Sequence, residues 1–158
     1  MHETAGRRPV YHFRGRSEHT LDNKGRLNIP TRYREVLKKQ YDERLMVTPW
    51  QNCLKAYPLP QWEEMEMTLL AQGRKQPDHI SLIRNLIGGV VECTLDKQGR
   101  VLLPPQLREE CGLDKEVVVN GMITYFEIWD KATWEKVGRP SPEQYADFER
   151  TMLEIGLI

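Results

Sequence analysis

The segment TLDNKGRLNIP occupies Thr20–Pro30, and TLDKQGRVLLP occupies Thr94–Pro104. A chain of 158 residues thus writes nearly the same eleven-residue phrase twice, 74 positions apart. The turn in each copy opens on an aspartate, Asp22 or Asp96, and reaches a glycine three residues later, Gly25 or Gly99. Asp closes turns through its side chain and Gly accepts a positive φ, so DNKG and DKQG predict tight turns. The residues on either side alternate apolar and polar, which predicts short strands entering and leaving each turn.

Working outward, the same offset matches Gly15 with Gly89, Glu18 with Glu92, Arg34 with Arg108 and Glu35 with Glu109. The register then slips by two, so that Tyr57 corresponds to Trp129 and Trp62 to Trp134. This is a duplicated unit of roughly fifty residues, not an array of short repeats. Each unit predicts strand–turn–strand–helix–strand–strand, and Pro30 and Pro104 stand where the helix begins. One such unit leaves an unpaired sheet edge and a half-covered apolar face. The expectation is therefore an α+β fold in which two units close a single pseudo-twofold barrel with flanking helices.

The expected organisation is a flexible extension over 1–12, a first unit over 13–73 and a connecting helix over 74–88. A second unit follows over 89–138 and a C-terminal helix over 139–158. In the connecting helix, Ile80, Ile83, Leu86 and Ile87 share one face. In the last helix, capped by Ser141, the residues Tyr145, Phe148, Met152 and Ile155 form an apolar stripe. That stripe is expected to pack on the chain's own core, the alternative being a seam against a neighbouring subunit.

Net charge is zero, but residues 1–40 hold ten Lys/Arg against four acids, a surplus of six that the remainder reverses. Such asymmetry orients a protein against a polyanion, although a clustered solvated surface gives the same count. Three cysteines without CxxC spacing point to a reducing cytoplasm, and the four scattered histidines offer no metal-ligand spacing. No apolar run is long enough to span a bilayer, and the N-terminus does not read as a secretory signal. Neither a nucleophile elbow nor a Cys/His pair at a recognisable spacing is present, and Ser17-Glu18-His19 is taken as coincidence. An enzyme is not expected, nor a cofactor, a metal or a small-molecule substrate.

The pattern D-x-x-G-R-x-x-I-P-x-x-x-R-E resembles the signature of AbrB-type swapped-hairpin DNA-binding domains. Two copies, with FRG at Phe13–Gly15, YPLPQWE at Tyr57–Glu63 and FEIWD at Phe126–Asp130, resemble the MraZ family over about Phe13–Val137. The resemblance implies a bacterial transcriptional regulator of the division and cell-wall gene cluster, cytoplasmic and nucleoid-associated. It also implies ring-shaped homo-oligomers that bind G-rich direct repeats in double-stranded promoter DNA.

Carried onto this sequence, the D-x-x-x-R motif falls on Asp22–Arg26 and Asp96–Arg100, making Arg26 and Arg100 the first DNA-contact candidates. The arginine fork suits guanine O6/N7 or phosphate oxygens, and Lys24 adds a mobile charge suited to phosphate. Asp22, Gly25, Asp96 and Gly99 are expected to shape the turns, the aspartates pairing across them with Arg26 and Arg100. Gln98 stands where the first copy has Lys24, so the first copy is expected to carry more of the contact. For Arg34 and Arg108, a phosphate contact and an ion pair remain open. Arg14, Arg16 and Arg32 are weaker candidates. Trp62, Trp129 and Trp134 are expected in the core, and Gly88-Gly89 as a hinge or a close backbone approach. A ring-forming interaction module with incidental DNA affinity is the alternative function. An antitoxin is a third, though such chains usually carry one unit and a disordered tail.

Overall fold

A computed structural model describes residues 11–73 and 76–158. The expected extension over 1–12 therefore lies almost wholly outside the described residues. The two copies fold into equivalent elements. The first contributes β1 (Arg16–Thr20), β2 (Arg26–Asn28), α1 (Thr31–Gln40), β3 (Arg44–Trp50), β4 (Cys53–Pro58) and α2 (Leu59–Gly73). A 3-10 turn (Pro77–His79) leads into α3 (Ile80–Gly89). The second contributes β5 (Val91–Thr94), β6 (Arg100–Leu102), α4 (Pro105–Glu110), β7 (Glu116–Gly121) and β8 (Phe126–Asp130). The short α5 (Lys131–Thr133), a π-helical turn (Trp134–Gly138) and α6 (Pro142–Glu154) complete the chain.

The strands exchange partners between copies. A six-stranded antiparallel sheet runs β1-β7-β8-β4-β3-β5, and a separate ribbon pairs β2 with β6. Swapping the two copies reproduces the same order read backwards. Only the β3–β4 and β7–β8 hairpins pair within a copy. The strand before each turn does not pair with the strand after it: β1 pairs with β7 while β2 pairs with β6. β1 and β5 remain as the two edges, so backbone hydrogen bonding leaves the sheet open and does not close it into the expected barrel.

The ribbon fills the open side by burial. Leu27 and Val101 are cross-strand partners, and they join Leu45, Val47, Leu54, Val119 and Ile128 in one core. Phe13, Tyr33 and Phe126 meet with ring centroids 5.1–5.3 Å apart, and the Tyr33 hydroxyl donates to the Gly15 carbonyl at 2.8 Å. Each aromatic pair adds about 0.5–1.5 kcal/mol beyond its buried area. Both copies and the segment entering β1 are thereby tied to one centre.

The tryptophans divide. Trp62 and Trp134 are buried, whereas Trp129 is half-buried, packing edge-on against Trp134 and donating its Nε1 to Glu127. Gly89 is a close approach: a Cβ there would lie 2.9 Å from Pro49 Cγ. On the connecting helix only Leu86 of the four apolar positions is buried, with Ile80 and Ile87 exposed. α6 begins with a capping box between Ser141 and Gln144, as its sequence indicates. Its stripe does not pack on the core, because Tyr145, Phe148 and Ile155 are all more than 60% exposed. The reason is positional: α6 follows an extended Arg139, and no residue of α6 joins the core cluster.

Candidate nucleic-acid interface

The two turns are built by the same bonds. Asp22 Oδ1 accepts from the backbone N–H groups of Lys24 (2.9 Å) and Arg26 (2.8 Å). Asp96 Oδ1 accepts from Gln98 (2.9 Å) and Arg100 (2.9 Å). Gly25 and Gly99, at φ 84° and 78°, turn the chain through the left-handed region that other residues rarely enter. The aspartates thus shape the turns, and the second carboxylate oxygen of each holds the following arginine. Arg26 Nε donates to Asp22 Oδ2 at 2.5 Å, and Arg100 Nε donates to Asp96 Oδ2 at 2.9 Å.

The backbone N–H of Arg26 is the main cause that holds the Asp22 carboxyl down, to about 2, with the Arg26 guanidinium and the Lys24 N–H adding to it. Asp96 is lowered in the same way, first by the Arg100 N–H. Both carboxylates are therefore charged at neutral pH. Each fixes its arginine through Nε alone. Among the described residues, neither arginine donates a side-chain hydrogen bond through its η nitrogens. Such an edge can donate two parallel hydrogen bonds to a guanine or a phosphate.

The ribbon register places the two arginines together. Arg26 faces Leu102, Leu27 faces Val101 and Asn28 faces Arg100. Cross-strand partners share a face and neighbours along a strand alternate, so Arg26, Asn28, Arg100 and Leu102 occupy one side. Leu27 and Val101 occupy the buried side, while Asn28 and Leu102 are exposed. The outer face therefore carries two held arginines, an amide and an apolar side chain. A two-stranded ribbon of this kind is narrow enough for a DNA major groove.

Asn28 and Leu102 were not among the sequence candidates. The signal was the alternation R-L-N and R-V-L, which becomes informative only once β2 is known to pair with β6. Lys24 is exposed at the first turn. Arg34 and Arg108 lie elsewhere, each beneath the opposite copy's turn glycine. A Cβ on Gly25 would stand 2.6 Å from Arg108 Nε, and one on Gly99 would stand 2.5 Å from Arg34 Nη1. Arg16 lies over the Trp134 ring, 4.5 Å from its centroid, and Arg32 packs under Gly15. The Ser17 hydroxyl is 2.8 Å from His19 Nε2, but Glu18 on the opposite face pairs with Lys131. Among the described residues, no carboxylate hydrogen-bonds the His19 ring.

A family model described as "MraZ protein, putative antitoxin-like" matches residues 12–84 and again 86–155, one match for each copy of the turn motif. The chain belongs to the MraZ family. Similar proteins include the "Transcriptional regulator MraZ" of Syntrophobacter fumaroxidans, 42% identical over 146 residues, covering 92% of this chain and 97% of the relative. That of Moorella thermoacetica is 41% identical over 145 residues, covering 92% and 99%. That of Thioalkalivibrio sulfidiphilus is 45% identical over 125 residues, covering 78% and 83%. These MraZ relatives are named as regulators of transcription, and the match spans both halves of the ribbon.

Proposed function

We propose that this chain is a transcriptional regulator that binds double-stranded promoter DNA through the outer face of the β2–β6 ribbon and the turns at its ends. The observation that carries the reading is the placement of Arg26 and Arg100 on one exposed face, each held by its own aspartate. Arg26 and Arg100 make the direct contacts, Asn28 and Leu102 complete the same face, and Lys24 reaches phosphate. Asp22, Gly25, Asp96 and Gly99 set the turn. The two copies act as one pseudo-twofold body, the ribbon covering the side that the open sheet leaves. The names of the relatives support the regulatory role.

In its finer form, the chain represses its own division and cell-wall gene cluster in the nucleoid and acts as a ring of identical subunits on G-rich direct repeats. A repeated surface with few contacts per subunit gains its grip by avidity. No catalytic role is assigned. The test is retention of a fragment from the chain's own upstream region across a salt series. Arg26→Ala should abolish retention at physiological salt, leaving only weak binding at low salt, while the thermal midpoint holds. Unchanged, salt-insensitive retention would sink the assignment, because phosphate contacts release counterions.

A second reading, a ring-forming interaction module with incidental DNA affinity, is favoured by the exposed stripe of α6. Equal affinity for random DNA and for the upstream region would select it.

A further inference from the structure

Resting on the DNA-binding reading, we infer that Arg34 and Arg108 are positioning residues, each holding the turn of the opposite copy, and that neither contacts DNA. Arg108, on α4 of the second copy, lies against the Gly25 turn of the first. A Cβ built on Gly25 would meet Arg108 Nε at 2.6 Å, Cζ at 2.7 Å and Nη2 at 2.9 Å. The guanidinium therefore occupies the space that the missing side chain leaves. Arg34, on α1 of the first copy, does the same beneath Gly99, where the built Cβ would stand 2.5 Å from Nη1 and 2.8 Å from Nε. The absence of a side chain at these glycines thus serves two ends: it permits the positive φ and it admits an arginine from across the ribbon.

The bonding around Arg108 continues into the ribbon. Its Nε donates to the Leu103 carbonyl at 3.0 Å, and the Leu103 N–H donates to the Gly25 carbonyl at 3.0 Å. Arg108, the end of β6 and the first turn form one chain of contacts, with Arg26 at its outer end. A planar guanidinium can lie flat on a peptide while Nε makes a directed bond, which a lysine ammonium cannot do.

The second latch is less complete. Arg34 Nη2 donates to Thr31 Oγ1 at 2.9 Å, but Arg34 Nε is buried without a hydrogen-bond partner. At the position equivalent to Thr31 the second copy has Pro105, so Arg108 has no such hydroxyl and bonds to Leu103 instead. A buried donor left unpaired weakens the structure around it. The better-satisfied latch supports the turn that also carries Lys24, so both differences favour the first turn.

The experiment measures affinity of full-length variants for the upstream fragment over a series of KCl concentrations. Arg108→Met keeps an unbranched apolar stem that ends near the position of Nε and removes the charge and fork. It should weaken binding at least about tenfold, the size of one lost bidentate contact. In a background carrying both Arg26→Ala and Lys24→Ala, followed at low KCl, the same change should cost nothing further and leave the salt slope unchanged. In an Arg100→Ala background it should cost its full amount. Arg108→Lys should fail to rescue, and Arg34→Met should cost less than Arg108→Met.

A direct phosphate contact would behave otherwise. Arg108→Met would then lower the salt slope by about 0.9 in every background, and Arg108→Lys would restore binding. Either result overturns the latch. If Arg108→Met shows no cooperative unfolding transition, Arg108→Lys, which keeps charge and length, carries the comparison alone. If Arg26→Ala binds as the parent does, the DNA reading itself fails. If Arg26→Ala weakens binding and Arg108→Met does not, only the latch fails.

Discussion

Leu27 faces Val101 at the centre of the β2–β6 ribbon, and the pairings between the two copies are arranged symmetrically about that point. Lys55 facing Glu127 occupies the equivalent place where β4 meets β8. With β1 on β7 and β5 on β3 in addition, neither copy can complete its own hydrogen bonding. A fragment spanning residues 11–76 should therefore show no cooperative unfolding as a monomer. Mixed with a fragment spanning 77–158, it should regain the transition. Calorimetry of each fragment and of the mixture checks this, and a reversible transition in an isolated monomeric half would refute it. Leu27→Ala in the intact chain should cost about 2–5 kcal/mol, since the side chain is fully buried.

The charge state of Asp22 sets an acid limit. Its folded pKa, about 2, lies below the unfolded value near 3.9. A depressed carboxylate contributes stability that is complete above the unfolded value and disappears as pH falls through the folded one. The urea midpoint of the parent should therefore exceed that of Asp22→Asn by a constant margin from pH 5 to 8. That margin should shrink between about pH 4 and pH 2. A margin that closes near pH 6 would show that Asp22 is not the group responsible.

Sequence legibility was greatest where local chemistry decides the structure. Both turns, the carboxylate that holds each arginine and the capping box on α6 follow from residues within four positions of one another. What lay beyond the sequence was long-range pairing. The strands flanking each turn look like a hairpin, and nothing local distinguishes a hairpin from two strands paired elsewhere. The exchange is what brings Asn28 opposite Arg100 and moves Arg34 and Arg108 beneath the opposite turns. The α6 stripe misled for a related reason: amphipathic spacing identifies an apolar face without identifying what covers it.

Asn28 and Leu102 occupy equivalent positions in the two copies, yet one is an amide and the other a hydrocarbon. An amide pairs with adenine N6/N7, whereas an apolar group suits a thymine methyl, so the two ends of the ribbon should differ in base preference. Asn28→Ala should weaken binding by about 1–3 kcal/mol on the preferred site and flatten preference at one base position. Competition with a single-substitution library of the site measures both. A uniform loss across the whole library would assign Asn28 to backbone positioning instead.

Ile123 is the one non-glycine residue at positive φ, 69°, among the described residues. It holds the β7–β8 connection against Phe13 through reciprocal backbone bonds of 2.9 Å, with its own side chain 56% exposed. A β-branched residue in the left-handed region costs about 1–2 kcal/mol. Asparagine tolerates that conformation and keeps both backbone bonds. Ile123→Asn should therefore raise the thermal midpoint by a few degrees, and a lowered midpoint would mean that the exposed side chain contributes more than its conformation costs.

The last helix stands outside the core. α6 has no buried residue, and Tyr145, Phe148, Leu153 and Ile155 stand exposed along it. Apolar side chains gathered on one exposed helix make it the first surface to test for contacts between subunits. Removing residues 141–158 deletes little of what holds the core, so the thermal midpoint of the remaining fold should fall by only a few degrees at a fixed oligomeric state. If the ring is held together through α6, the same deletion, or Phe148→Glu in the full chain, should lower the molar mass seen by light scattering. Binding to a fragment with several repeats should weaken far more than binding to one repeat, because avidity depends on joined subunits. A shortened chain of unchanged molar mass would place the contacts between subunits elsewhere. The exposed Met67, Leu70, Ile80 and Leu82 of α2 and α3 would be the next surface to substitute.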